Sequence, residues 1–216
     1  NSLENEKSPI RSILKKSVSY GSLLFDFLRN HLDFKNISNI IEVGGGYGNL
    51  MRDFLQNESG LNAHMVDISE YLLMKQKETL KGCNAEFTQD DFFNINQEFF
   101  SNFDLAILNE NAADFPTILD IDRDILKLDA NRLDPVELKI RGFYERYSLS
   151  EEGMDKSFNF NLGAMGALEK LCAAGIPNIF ICEHSCEAVI PDSNKNPITR
   201  VILNFPEKIQ LKGHDE

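Results

Sequence analysis

The sequence predicts an α/β fold with a seven-stranded, mostly parallel sheet, an antiparallel C-terminal hairpin and helices on both faces. Three observations lead there. Short apolar runs bounded by turn residues alternate with stretches of helical spacing, the pattern of βαβ units. One such run, Ile40-Ile41-Glu42-Val43, ends abruptly in glycines, and helical spacing resumes with Leu50, Met51, Phe54 and Leu55. The chain's last apolar runs, Val201 to Phe205 and Ile209 to Leu211, are split by Pro206-Glu207 as in a hairpin.

The stretch from Asn39 to Leu50 organises the rest. A strand, a tight glycine turn and a helix N-terminus let backbone N–H groups meet a ligand with no side chain in the way. Gly44, Gly46 and Gly48 follow Glu42 as G-x-G-x-G, and position 49 is Asn where a dinucleotide fingerprint has its third glycine, which weakens an NAD-type reading. Glu42-Val-Gly-Gly-Gly-Tyr-Gly48 resembles the first motif of class I S-adenosylmethionine (SAM) dependent methyltransferases. That resemblance implies a Rossmann-like sheet, SAM as cofactor, a glycine turn under the amino-acid end of SAM and an acidic Glu42 bracing the loop or its ligand.

Taken in order, residues 1–16 are polar and basic-leaning, a frayed lead-in. Residues 17–34 carry a helical stripe of Tyr20, Leu24, Phe27, Leu28 and Leu32, with Ser17 or Ser19 as cap. Tyr20 is placed either over the cofactor mouth or against the sheet. A second strand, Ala63 to Ile68, contains Asp67 about twenty residues past the turn. Its two carboxylate oxygens suit vicinal ribose hydroxyls, with Ile68 beside them; the alternative is a cap for the helix starting near Ser69. After that helix (Leu72, Leu73, Gln76, Leu80) and a third strand, Ala85 to Thr88, comes Gln89-Asp-Asp-Phe-Phe93. By the resemblance, Asp91 would accept from the adenine amino group and Phe92 would pack on the ring; the plain alternative is a solvated acidic turn.

The fourth strand, Phe103 to Leu108, leads into Asn109-Glu110-Asn111 at its carboxyl end, where ligands of open α/β sheets bind. Glu110 is the candidate nearest the acceptor, as a base or a clamp for a cationic nucleophile such as guanidinium, with Asn109 beside it. The family's nucleic-acid amino-methyltransferases carry Asn/Asp-Pro-Pro-aromatic here, and Asn-Glu-Asn-Ala departs from it. Ile68-Ser69, Leu73, Gln76 and Leu80, with Asn109-Glu110 and Pro116, are loosely similar to the MidA-type branch, relatives of a methyltransferase that modifies a protein arginine.

Residues 115–158 form a long insertion, read as a helical lid or substrate-recognition element with helices over Ile118 to Leu128 and Val136 to Tyr147. Its Phe143, Tyr144 and Tyr147 wall a pocket or form a private core. A helix with small residues, Phe160 to Ala174, and a fifth strand, Asn178 to Cys182, bring Glu183 and His184 to the next strand tip as further candidates.

A length of 216 residues suits a single domain spanning 1–216, and the formal net charge of −12 disfavours a nucleic-acid partner. The expected partner is a protein or small-molecule methyl acceptor. No apolar run is long enough for a membrane span, and four sparse cysteines suit the reducing cytoplasm. Cys182, His184 and Cys186 alternate on one strand face, but C-x-H-x-C is not a usual zinc spacing, so no metal is expected. Ser185 or Cys186 with His184 lacks the G-x-S-x-G elbow of a hydrolase. The alternatives are a SAM-binding module that has lost its chemistry and acts through protein contacts, and an NAD-type Rossmann oxidoreductase, which Asn49 weakens.

Overall fold

The run Asn39–Val43 (β1) lies at the centre of a parallel sheet, and Ile40, Ile41 and Val43 are all buried. In this computed structural model, residues 5–7, 11, 15 and 17–183 are described, all within one unit from Asn1 to Glu183. β1 is flanked by Asn62–Asp67 (β2) and, two strands on, by Leu105–Asn109 (β4), while Ala85–Gln89 (β3) pairs with β2. Ile118–Asp122 (β5) and Ser157–Phe160 (β6) stand apart, and Asn178–Cys182 (β7) pairs with β4, giving the order β3-β2-β1-β4-β7. Every neighbour in this sheet is parallel. The inner strands are covered on both faces, so they read as nearly continuous apolar runs, whereas edge strand β3 alternates.

Strand order reverses between β1 and β4, which opens a crevice at their carboxyl ends. The helices are Tyr20–His31 (α1), Asn49–Asn57 (α2), Glu70–Thr79 (α3), Gln97–Phe100 (α4), Pro135–Tyr147 (α5) and Leu162–Ala173 (α6). α1 and α2 seal one face through Phe25, Met51 and Phe54 against Leu105 and Ile107. On the other face Phe92, Phe100, Ala167 and Leu171 pack on Ile41 and Leu108. Ser19 caps α1, and Gly21 lets it close onto α2, since a Cβ there would sit 3.0 Å from the Leu50 Cα.

Three expectations need correction. The parallel sheet has five strands among the described residues rather than seven; the strands expected at 201–205 and 209–211 lie outside those residues. The helix expected over Ile118 to Leu128 is instead β5 followed by a short 3-10 turn, Arg123–Leu126. Ile118, Ile121 and Ile125 have helical spacing, but Ile118 pairs with Phe160 and Ile121 with Phe158 across an antiparallel two-stranded sheet with a register shift. The distant partner therefore decided the conformation. For the same reason α6 begins at Leu162: Ser157–Phe160 belongs to β6, and Asn161 caps the helix. Residues 115–158 are thus a hairpin and a helix around their own core of Ile121, Ile125, Ile140, Phe143 and Phe160. Of the three aromatics in question, Phe143 is fully buried there, Tyr144 packs beside it and Tyr147 is exposed.

Candidate functional site

The glycine turn is built for close approach. Gly44 and Gly46 have φ of 64° and 54°, a region that L side chains rarely adopt. A Cβ on Gly44 would fall 2.7 Å from Asn111 Nδ2, whereas one on Gly46 would meet no protein atom within 4 Å. Gly46 therefore leaves room that the protein itself does not fill. The Gly44 N–H donates to the Val66 carbonyl at 2.8 Å, and Asn111 Nδ2 donates to the Val43 carbonyl, so the turn is held from both neighbouring strands.

Two cavities meet at this turn. The larger, of about 500 Å³, is lined by Gly44, Gly46, Asp67, Ile68, Asp91, Phe92 and Glu110, among others. The smaller, of about 240 Å³, is lined by Tyr20, Glu42, Gly44, Gly46, Asn109 and Glu110. Glu42, Gly44, Gly46, Asp67, Ile68, Asp91, Phe92, Asn109 and Glu110 each line one or the other, whereas Gly48 and Glu183 line neither. Gly48 starts α2 in a left-handed conformation and backs onto Gln76, where a Cβ would lie 3.3 Å from the Gln76 Cα.

Asp67, at the end of β2, is buried. Its Oδ1 accepts from the Ser69 N–H at 2.9 Å and its Oδ2 from Gln76 Nε2 at 2.8 Å. A carboxylate oxygen has more than one acceptor direction, so both retain capacity for a ligand hydroxyl. Ser69 itself caps α3, so the capping role considered for Asp67 belongs to its neighbour. Asp91 Oδ1 accepts from the Phe93 N–H at 2.9 Å, fixing the acidic turn after β3. Phe92 is buried against Phe100 and Phe115, and Lys170 closes the turn from behind by donating to the Phe92 carbonyl at 2.8 Å.

Glu42 is 2% exposed, and its Oε2 has no hydrogen-bond partner. Burial first, and the nearby Asp67 second, push its carboxyl up to about 8. At neutral pH it is therefore mostly protonated. Asn109 Oδ1 accepts from the Tyr20 hydroxyl at 2.7 Å, which ties α1 to the tip of β4. Burial, then Cys182, Glu110 and Glu42, raise the Tyr20 phenol and keep it a neutral donor. Glu110 is a non-glycine residue at φ 55°, and its N–H donates to the Cys182 carbonyl at 2.7 Å. Strain of this kind collects at functional sites, here where the two cavities join.

Glu183 has one oxygen engaged next to the site. Its Oε1 accepts from the N–H groups of Ala112 and Ala113, capping the short 3-10 turn Ala112–Asp114. His184 and Cys186 lie outside the described residues, and no cluster of metal-ligating side chains occurs among the described ones. Two residues escaped the sequence reading as site residues, Gln76 and Asn111. Both are buried amides whose oxygens, Oε1 and Oδ1, have no partner. A polar residue on an apolar helix stripe, Gln76 between Leu73 and Leu80, was the available signal.

Residues 23–162 match a family described as "Putative S-adenosyl-L-methionine-dependent methyltransferase", and the chain belongs to that family, whose cofactor is SAM. No curated protein matches the sequence. Among solved structures the chain is similar to TnmH, with 18% identity and a TM-score of 0.37 over 45% of this chain and 29% of that one. The methyltransferase domain of bacterial CtHen1-C gives 16% identity and a TM-score of 0.39 over 58% of this chain and 84% of that one. The plantazolicin methyltransferase BpumL, solved with SAH, gives 13% and 0.37 over 60% and 56%. The chain spans less than a third of TnmH's length.

Proposed function

We propose that this chain binds SAM across the two cavities and methylates a protein side chain or small molecule rather than a nucleic acid. One observation carries the reading: the tips of β1, β2, β3 and β4 bring the glycine turn, Asp67, Asp91 and Glu110 to the walls of one cavity. The site's chemistry fits the cofactor. Gly46 leaves space, Asp67 has spare acceptor capacity for ribose hydroxyls, and the unpartnered Glu42 Oε2 and Asn111 Oδ1 are acceptors suited to a cationic ligand. Gly44 and Gly46 would hold the amino-acid end, Asp67 the ribose, and Asp91 with Ile68 and Phe92 the base. Bound SAM supplies an electrophilic methyl group on a sulfonium.

The chain's own residues do the rest. Tyr20 and Asn109 fix the wall beside the turn, and Glu110 orients a nucleophile or takes its proton. The Glu110 carboxyl in the lining of the smaller cavity favours an amine or guanidinium acceptor. The chain is taken as one domain, and four sparse cysteines in 216 residues suit the cytoplasm. No described helix is long and apolar enough to cross a membrane.

Calorimetric titration with SAM, SAH and NAD tests the reading. SAM and SAH should bind, NAD should not, and Asp67→Ala should weaken SAM binding several-fold. An unchanged SAM dissociation constant in that variant would refute the site. SAM binding with no labelled product from any protein or metabolite fraction would favour a non-catalytic module.

A further inference from the structure

We propose that Gln76 is a positioning residue for the cofactor, its buried amide locking the Asp67 carboxylate to the Gly46 carbonyl so that two parts of the cavity wall move as one. The inference rests on SAM occupying that cavity. Gln76 is 0% exposed, and Nε2 spans the two acceptors, at 2.8 Å to Asp67 Oδ2 and 3.1 Å to the Gly46 oxygen. Both partners are acceptors, so the orientation of the amide is fixed by the bonds it makes.

Position 76 does not need a polar side chain for packing. It shares its helix face with Leu73, which is 4% exposed, and with Leu80 one turn later, at 2%. Its Oε1 is buried without a partner, an arrangement that normally costs stability and that an apolar side chain would avoid. What the amide achieves is geometric. Asp67 and Gly46 come from different βα turns, and Gln76 is a side chain that bonds both. Because Gly48 lies against the backbone of Gln76, α3 is also seated on the start of α2. A cavity whose walls are fixed in advance loses less freedom when a ligand binds.

Three proteins decide the matter: wild type, Gln76→Met and Gln76→Glu. Gln76→Met keeps the length and removes both donors. It should raise the SAM dissociation constant about tenfold and KM for SAM likewise, with kcat at saturating SAM within about twofold, because Gln76 touches no reacting atom. Gln76→Glu places a second carboxyl against Asp67, with Glu42 the next acid behind it. Relative to wild type at each pH, SAM binding should be only a fewfold weaker at pH 5.5, where the introduced carboxyl when protonated donates one of the two hydrogen bonds, and more than tenfold weaker at pH 8, where it donates none. A side chain that merely supports the fold would lower the melting temperature without a pH-dependent loss of affinity. If both folded variants bind SAM within twofold of wild type at both pH values, the proposal fails. It also fails if neither variant folds, because the amide is then structural. If the wild-type protein binds no SAM at all, the functional reading fails first.

Discussion

Replacing Glu42 by Gln tests the electrostatics of the site most directly. Glu42 sits 2% exposed under the glycine turn, and burial with Asp67 nearby raises its carboxyl from 4.5 to about 8. Between those two values the folded protein keeps a proton that the unfolded chain has lost. The native state therefore binds more protons, and stability falls as pH rises through this window. One pKa unit is worth about 1.4 kcal/mol, so from pH 5 to pH 8 the group should remove roughly 3 kcal/mol of stability. Glu42→Gln cannot ionise and should lose that dependence. The variant carries its own cost, about 1–3 kcal/mol for a buried amide with unmet hydrogen bonds, but that cost is the same at every pH. The assay is chemical denaturation of both proteins at pH 5, 6, 7 and 8. The curves should converge or cross as pH rises, with the variant gaining on wild type by roughly 2–3 kcal/mol. Parallel curves, with a difference constant to within about 0.5 kcal/mol, would refute the assignment of a protonated carboxyl under the turn.

Other outcomes follow from the same geometry. A cationic ligand beside Glu42 favours its ionised form, so SAM binding near pH 7 should release a proton, detectable as a binding heat that varies with the ionisation enthalpy of the buffer. Gly46→Ala imposes a φ of 54° on alanine, at a cost of about 1–2 kcal/mol, and puts a methyl group into space bordered by both cavities. It should reduce SAM affinity at least tenfold while the melting temperature falls only modestly. Phe54→Ala empties a site that is 0% exposed and packed edge-on against Phe25 at 5.3 Å, and should cost about 3–5 kcal/mol in denaturant unfolding without a specific effect on SAM affinity in the folded fraction.

The parts of this molecule that could be read in advance are those whose cause is local. Gly44 and Gly46 mark a turn because no other residue takes those dihedral angles cheaply, and Asp67 marks a strand end because Ser69 starts a helix two residues later. β4 announced itself as an unbroken apolar run, Leu105 to Leu108, and β1 and β2 as apolar runs interrupted only by Glu42 and His64, because both faces of these strands are covered. What stayed hidden depended on residues far along the chain. Gln76 bonds Gly46 thirty positions away, Asn111 bonds Val43 sixty-eight positions away, and Tyr20 bonds Asn109 eighty-nine positions away. The stretch beginning at Ile118 carries helical spacing and is nonetheless a strand, because Phe158 and Phe160 offered it an edge to pair with. Glu183 is a strand-tip acid whose Oε1 accepts from the backbone N–H groups of Ala112 and Ala113, a long-range cap that its local sequence does not announce.

The hairpin and helix between β4 and α6 gather around an apolar centre of their own, Ile121, Ile125, Ile140, Phe143 and Phe160, separate from the residues that line the sheet. Such a module is free to vary. Loops and exposed side chains of that segment can be exchanged, lengthened or recoded while the strands beneath keep their register, whereas Phe115 and Pro116 at its start are shared with the larger cavity.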